Sequence, residues 1–117
     1  MLFRSGHRFH LREVLYLEVK SVTLVEEGVA RFPDAPTLRG REHLEELMAV
    51  VQGGQRGAIA FVIQRPDALA FSPHHRADPA FAQALGRAKV RGVGVYAFTC
   101  QVGLREIAIE REIPVRL

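Results

Sequence analysis

Cysteine is almost missing from this chain: Cys100 is the only one in 117 residues. A single thiol forms no internal disulfide and leaves no cysteine-based zinc site, so a reducing, cytoplasmic location is expected. No apolar run approaches the roughly 18 residues that a membrane-spanning helix needs; the longest obvious one is Ala58–Ile63. The opening Met1-Leu2-Phe3-Arg4-Ser5-Gly6 lacks the apolar core of a signal peptide. Secreted and membrane classes are therefore set aside. The patterns G-x-x-x-x-G-K-[ST], G-x-G-x-x-G and G-x-S-x-G are all absent, which disfavours nucleotide-dependent and serine-hydrolase chemistry. Lysine is scarce as well, since only Lys20 and Lys89 stand among sixteen basic residues.

What is present describes one soluble globular domain. Hydrophobic residues make up 48% and charged residues 25%, and a chain this long buries enough surface to fold without metal or disulfide. The net charge is +3 with a pI near 9.6, and the whole surplus falls in residues 61–117. The basic residues are mostly arginine, whose planar fork suits phosphate, although a codon bias would leave the same count.

Along the chain, Leu15, Leu17 and Val19 alternate with Tyr16, Glu18 and Lys20, the period of a strand. The apolar phase then flips to Val22 and Leu24, and a β-bulge near Lys20-Ser21 would explain it. Thr37 is a plausible N-cap for a helix whose apolar positions are Leu44, Leu47, Met48 and Val51 and which stops at Gly53-Gly54. Ala58–Ile63 reads as a central strand covered on both faces. Residues 65–77 read as a loop. Asp78-Pro79 starts a second helix, with Phe81, Leu85 and Ala88 inward and Gly92 after its end. Strands follow at Val93–Val102 and from Ile107 to Val115, the last at an edge that tolerates Pro114. A short strand is also expected around His7–Leu11. Strands alternating with helices imply an α/β fold with a partly parallel sheet.

Glu18-Val19-Lys20 is the most suggestive local pattern. On a strand, positions i and i+2 share a face, so the carboxylate and the ammonium project together. A carboxylate can hold Mg²⁺ or Mn²⁺ while a lysine orients water and stabilises phosphate charge. Alone, such a pair is usually a solvated face. Asp34 offers a second acid, ahead of a helix opening that carries Thr37, Arg39, Arg41 and His43, where amides and arginines suit a phosphate. The plain alternative is a proline-rich turn followed by solvated arginines. His74-His75 lacks a further ligand at metal-site spacing, and Cys100 reads as a small core residue.

These residues carry a resemblance. Leu17-Glu18-Val19-Lys20-Ser21-Val22-Thr23-Leu24-Val25, Phe32-Pro33-Asp34-Ala35-Pro36-Thr37, Arg39-Gly40, His43-Leu44 and Glu46-Leu47 resemble the sugar fermentation stimulation protein A family. Phe61-Val62-Ile63-Gln64-Arg65, Phe71-Ser72-Pro73, Asp78-Pro79 and the strand from Tyr96 to Val102 continue it in order. The resemblance implies a restriction-endonuclease-like, PD-(D/E)xK core over residues 15–117: a mixed, partly parallel central sheet flanked by helices. It also implies nonspecific DNA binding and a regulatory link to sugar (maltose) metabolism. A divalent-metal-dependent nuclease and a non-catalytic interaction module are the alternatives, and whether the chain is an enzyme stays open. Carried over residue by residue, Glu18, Lys20 and Asp34 are the candidate catalytic groups, with Glu18 and Asp34 as ligands of Mg²⁺ or Mn²⁺. Arg39, Arg41 and Arg65 are the candidate DNA contacts, with Arg87 and Arg91 as a further basic cluster.

Two departures from the family pattern stand out. Residues 1–14 match poorly, so a truncated or misread start is expected, without the OB-like domain that comes first in the family. In addition, His10 stands where the family has an aspartate, and histidine is a poor substitute for a carboxylate on Mg²⁺. Strand edges left exposed would favour a homo-oligomer.

Overall fold

The structure is a computed structural model that describes residues 2–4, 12–102 and 107–117, with side-chain surroundings for 15–101 and 108–117. Its strands and helices run β1 (Leu2–Arg4), β2 (Arg12–Val22), β3 (Val25–Glu26), β4 (Val29–Phe32), α1 (Leu38–Gln52), β5 (Arg56–Ile63), β6 (Ala70–Pro73), α2 (Pro79–Val90), β7 (Gly94–Val102) and β8 (Ile107–Ile113). Five strands form a mixed sheet in the order β1-β2-β5-β7-β8. The inner pairs β2–β5 and β5–β7 are parallel, and the outer pairs are antiparallel. A second sheet, β3-β4-β6, lies beside it. The expected α/β architecture with a partly parallel sheet and an edge strand before Pro114 is what forms. The short strand expected around His7–Leu11 lies outside the described residues.

Parallel neighbours need crossover connections, and the two helices supply them. Both helices bury their apolar stripes on the same face of β5. Ile59, Phe61 and Ile63, all fully buried, join Leu44, Leu47 and Met48 of α1 and Phe81, Ala84, Leu85 and Ala88 of α2 in one core. Four phenylalanines anchor it: Phe61 stacks on Phe71 at 4.1 Å between ring centroids, and Phe32 meets Phe81 edge-on at 5.4 Å. Cys100 sits in this interior as expected, 2% exposed, with its thiol directed at the Ile63 carbonyl. Burial, and then the Glu110 carboxylate, push that thiol's pKa up, so it stays protonated and unreactive.

Both helix starts form as the sequence expects. The Thr37 hydroxyl accepts from the Gly40 amide at 2.9 Å, and the Asp78 carboxylate accepts from the Phe81 amide at 3.0 Å. The other Asp78 oxygen accepts from the Thr37 amide at 2.8 Å, so one carboxylate ties the two helix N-termini together. The helices therefore begin at the same end of the sheet, alongside the carboxyl ends of β2 and β5.

Two expectations are corrected. No bulge interrupts β2 near Lys20-Ser21, because its pairing with β5 runs unbroken from Leu15↔Arg56 to Val22↔Ile63. The apolar phase flips there because Glu18 and Lys20 share the helix-facing side with Val22, which reaches the core. The register shift lies instead between Thr99 and Cys100, so both of these consecutive residues are buried. Finally, the segment 65–77 expected as a loop contains a short strand, and a hairpin of two short strands precedes α1. Glu27 and Gly28, both at positive φ, turn the hairpin β3–β4, and Ala70–Pro73 of the expected 65–77 loop pairs with β4. Strands of two to four residues are too short to show a period of two.

Candidate functional site

Glu18 and Lys20 project from the same side of β2, the side that faces the helices. There α1 packs mainly over β5, its neighbour, so the helix-facing side of β2 runs along the flank of α1 rather than beneath it. The result is a groove of about 320 Å³ lined by Tyr16, Leu17, Glu18, His43, Glu46, Leu47 and Val50. His43 comes from the second turn of α1, beside the buried stripe of Gly40, Leu44 and Leu47.

Three polar groups meet at this place. The Lys20 ammonium lies 2.7 Å from His43 Nδ1 and 3.3 Å from Glu18 Oε1, and His43 Nδ1 is 3.2 Å from the same carboxylate oxygen. The Lys20 and His43 side chains are only 14% and 18% exposed, whereas Glu18 is 32% exposed. Partial burial strengthens the attraction between Lys20 and Glu18 relative to a fully solvated pair. Sequence spacing had joined Glu18 to Lys20. The third partner, twenty-three residues beyond Lys20, was legible only as one of several polar residues at a helix opening.

Asp34 forms no hydrogen bond or ion pair with these three groups. It lies exposed in the turn between β4 and α1, and makes no hydrogen bond or ion pair with any described residue. His10 lies outside the described residues. Among the described residues no group of three or more His, Cys, Asp or Glu side chains is arranged to hold a metal ion. Glu18 is the one carboxylate of the cluster, and its Oε1 already faces Lys20. These residues alone therefore do not make a divalent-cation site. The His74-His75 pair makes none either: His74 Nδ1 is bonded to the Pro33 carbonyl at 3.0 Å, and His75 is exposed.

The candidate DNA contacts fare differently from one another. Arg39 is exposed, four residues before His43 on the same side of α1, and has no acidic partner among the described residues. Arg41 lies beside Asp78, with its Nε buried and unpartnered. Arg65 is held by both oxygens of Asp67, at 3.0 and 2.6 Å, and that hydrogen bonding keeps the Asp67 carboxyl below its ordinary range. Arg87 pairs with Glu45 at 2.8 Å, and Arg91 lies against Met48. These two lie towards the opposite end of the helix pair from Arg39, since α1 and α2 start together. These candidate contacts thus divide between two ends, and among them Arg39 combines exposure with a place one helical turn before His43. No helix of the described residues is long and apolar enough to cross a membrane.

Comparison with known proteins bears on this architecture directly. The family model of the sugar fermentation stimulation protein RE domain matches residues 3–106. The chain is 52% identical over 102 residues to the sugar fermentation stimulation protein homolog of Desulforamulus reducens, covering 87% of this chain and 43% of that protein. It is 49% identical over 106 residues to the homolog of Caldanaerobacter subterraneus subsp. tengcongensis, covering 91% and 46%. A solved structure of Pyrococcus furiosus SfsA in complex with Ca²⁺ superposes with a TM-score of 0.83 at 32% identity, covering 92% of this chain and 49% of that one. The chain thus spans less than half the length of these relatives. A family match across most of the chain, joined to the same nuclease-like fold, means that this chain belongs to the sugar fermentation stimulation protein family and corresponds to its RE domain.

Proposed function

We propose that this domain binds DNA without sequence preference, taking phosphate oxygens at the carboxyl end of β2, where Lys20 and Arg39 supply the positive charge. Open α/β sheets take their ligands outside the carboxyl ends of parallel strands, and both helix N-termini lie at that end. The single observation that carries the reading is the Lys20 ammonium held by His43 and Glu18, on the flank of the helix that carries the exposed Arg39 one turn before His43. Phosphate contacts of this kind carry no sequence information, which accounts for nonspecific binding. We place the domain in the control of sugar use, maltose included, within the cytoplasm; the family name supports the link to sugar fermentation alone.

A second reading is a phosphodiester-cleaving nuclease dependent on Mg²⁺ or Mn²⁺, with Glu18, Lys20 and Asp34 as its groups. The Ca²⁺ complex of the Pyrococcus furiosus relative favours it. Among the described residues Glu18 belongs to no group of three or more His, Cys, Asp or Glu side chains arranged to hold a metal ion.

The deciding experiment incubates supercoiled plasmid with the protein and with Glu18→Ala, in Mg²⁺ and in Mn²⁺, and resolves the products on native and denaturing gels. A retarded but intact plasmid in both proteins supports binding without cleavage. Metal-dependent nicking lost in Glu18→Ala makes the domain a nuclease. A plasmid neither retarded nor cut leaves the interaction-module alternative and removes both readings.

A further inference from the structure

The contact between Lys20 and His43 constrains where the protons are. At 2.7 Å, Lys20 Nζ and His43 Nδ1 are close enough that one must donate and the other accept. An ammonium has three donors and no acceptor, so with Lys20 charged the lone pair must be on Nδ1 and the imidazole proton on Nε2. The 3.2 Å approach of Nδ1 to Glu18 Oε1 is then a contact between two acceptors. It is tolerable because the positive ammonium lies beside both, 2.7 Å from one and 3.3 Å from the other. One ammonium proton is thereby given to His43 on the helix, while Glu18 on the strand holds the ammonium by charge, and no other described group accepts from Lys20.

We propose that His43 is a positioning residue: its neutral Nδ1 accepts from Lys20 and holds the ammonium against Glu18, aimed at an incoming phosphate oxygen. A lysine side chain loses much rotamer freedom when fixed, and a second acceptor offsets that cost before the ligand arrives. Glu18 alone anchors Lys20 from its own strand, whereas His43 anchors it to α1, so the distance between strand and helix sets where the charge stands. The inference deepens the phosphate-binding reading and rests on it for its function, but the geometry of Lys20 is testable separately.

The chain contains two lysines, and Lys89 is exposed and unpaired among the described residues, which makes it an internal reference. Trace acetylation followed by peptide mass spectrometry gives the ratio of Lys20 to Lys89 labelling. It is measured on the whole protein, His43→Leu and His43→Asn, alongside affinity for a short DNA duplex. Leucine fills the space without an acceptor, whereas asparagine presents an amide oxygen where Nδ1 stood. The expected result is a rise of about threefold or more in the ratio for His43→Leu, with a similar loss of affinity, and restoration of most of both by His43→Asn. A merely space-filling role predicts the opposite order, with His43→Leu closer to the wild type, and that order overturns the proposal. An unchanged ratio in His43→Leu overturns it too. If the ratio responds as expected while no protein binds the duplex, the DNA reading falls and the positioning role of His43 stands. If the wild type binds and neither ratio nor affinity responds to His43, the positioning role falls alone.

Discussion

The Asp78 carboxylate is 4% exposed and accepts from the amides of Thr37 and Phe81, residues that open two different helices. Burial pushes its pKa up, but the two amides and the Arg41 guanidinium outweigh burial and leave the pKa below the ordinary 3.8. A carboxyl whose folded pKa is depressed adds stability above its unfolded value, and that stability fades as pH falls through the folded one. Asp78→Ala is therefore expected to cost about 2 kcal/mol or more at pH 7, because it removes a cap and strands a buried amide. Urea denaturation checks this. The gap between wild type and variant should hold from pH 7 to 5 and narrow as pH falls through 3.8 and on through the depressed folded value; a gap that is constant down to pH 2 would contradict the charge argument. Asp78 was legible in the sequence as the cap of α2. Its bond to Thr37, forty-one residues away, was not, because no local pattern encodes which two helix ends will meet.

Helix α1 owes its placement to a glycine that propensity alone would replace. Alanine is about 1 kcal/mol better than glycine inside a helix, yet a Cβ at Gly40 would stand 2.7 Å from Thr37 Cγ2 and 3.2 Å from Phe81 Cε1. The capping hydroxyl and the closest approach of α1 to α2 both depend on that space. Gly86, in the middle of α2, has nothing within 4 Å of a Cβ placed there. Gly40→Ala should accordingly lower the thermal midpoint, and Gly86→Ala should raise stability by about 0.5–1 kcal/mol. Parallel melting curves of the two variants test the pair, and a stabilising Gly40→Ala would mean that the cap is not held as described. The same element aims His43: with Gly40, Leu44 and Leu47 fixed inward, His43 falls at the helix flank over β2. Sequence periodicity found the stripe and the caps, but the partner of the flank depends on which strand lies beneath it.

Over the whole molecule, charge is spread more evenly than the count of arginines suggests. Arg31, Arg65 and Arg87 are paired with Glu26, Asp67 and Glu45, and the two helix ends separate Arg39 from Arg91. With Lys20 and Arg39 as the phosphate contacts, DNA affinity should fall about tenfold for a fourfold rise in salt. Arg39→Ala should make that dependence shallower, and Arg91→Ala should leave it alone. Titrations of a fluorescent duplex at several salt concentrations measure both slopes. A steep slope that Arg39→Ala does not change would move the contact surface elsewhere on the molecule.

Composition and periodicity alone determined an α/β fold with two capped helices and a buried central strand. They did so because caps, stripes and apolar runs are local consequences of backbone geometry. The strand spacing of Glu18 and Lys20 was equally local, since alternate residues must share a face. Only the tertiary structure decided that His43 joins that pair, that Asp34 forms no hydrogen bond or ion pair with it, and that Arg65 is held by Asp67. Those relations depend on how α1 crosses from β4 to β5 and how far it reaches over β2. That is settled by packing Phe61, Phe71, Phe81 and Leu44 into one core, and core packing is a property of the whole chain rather than of any segment.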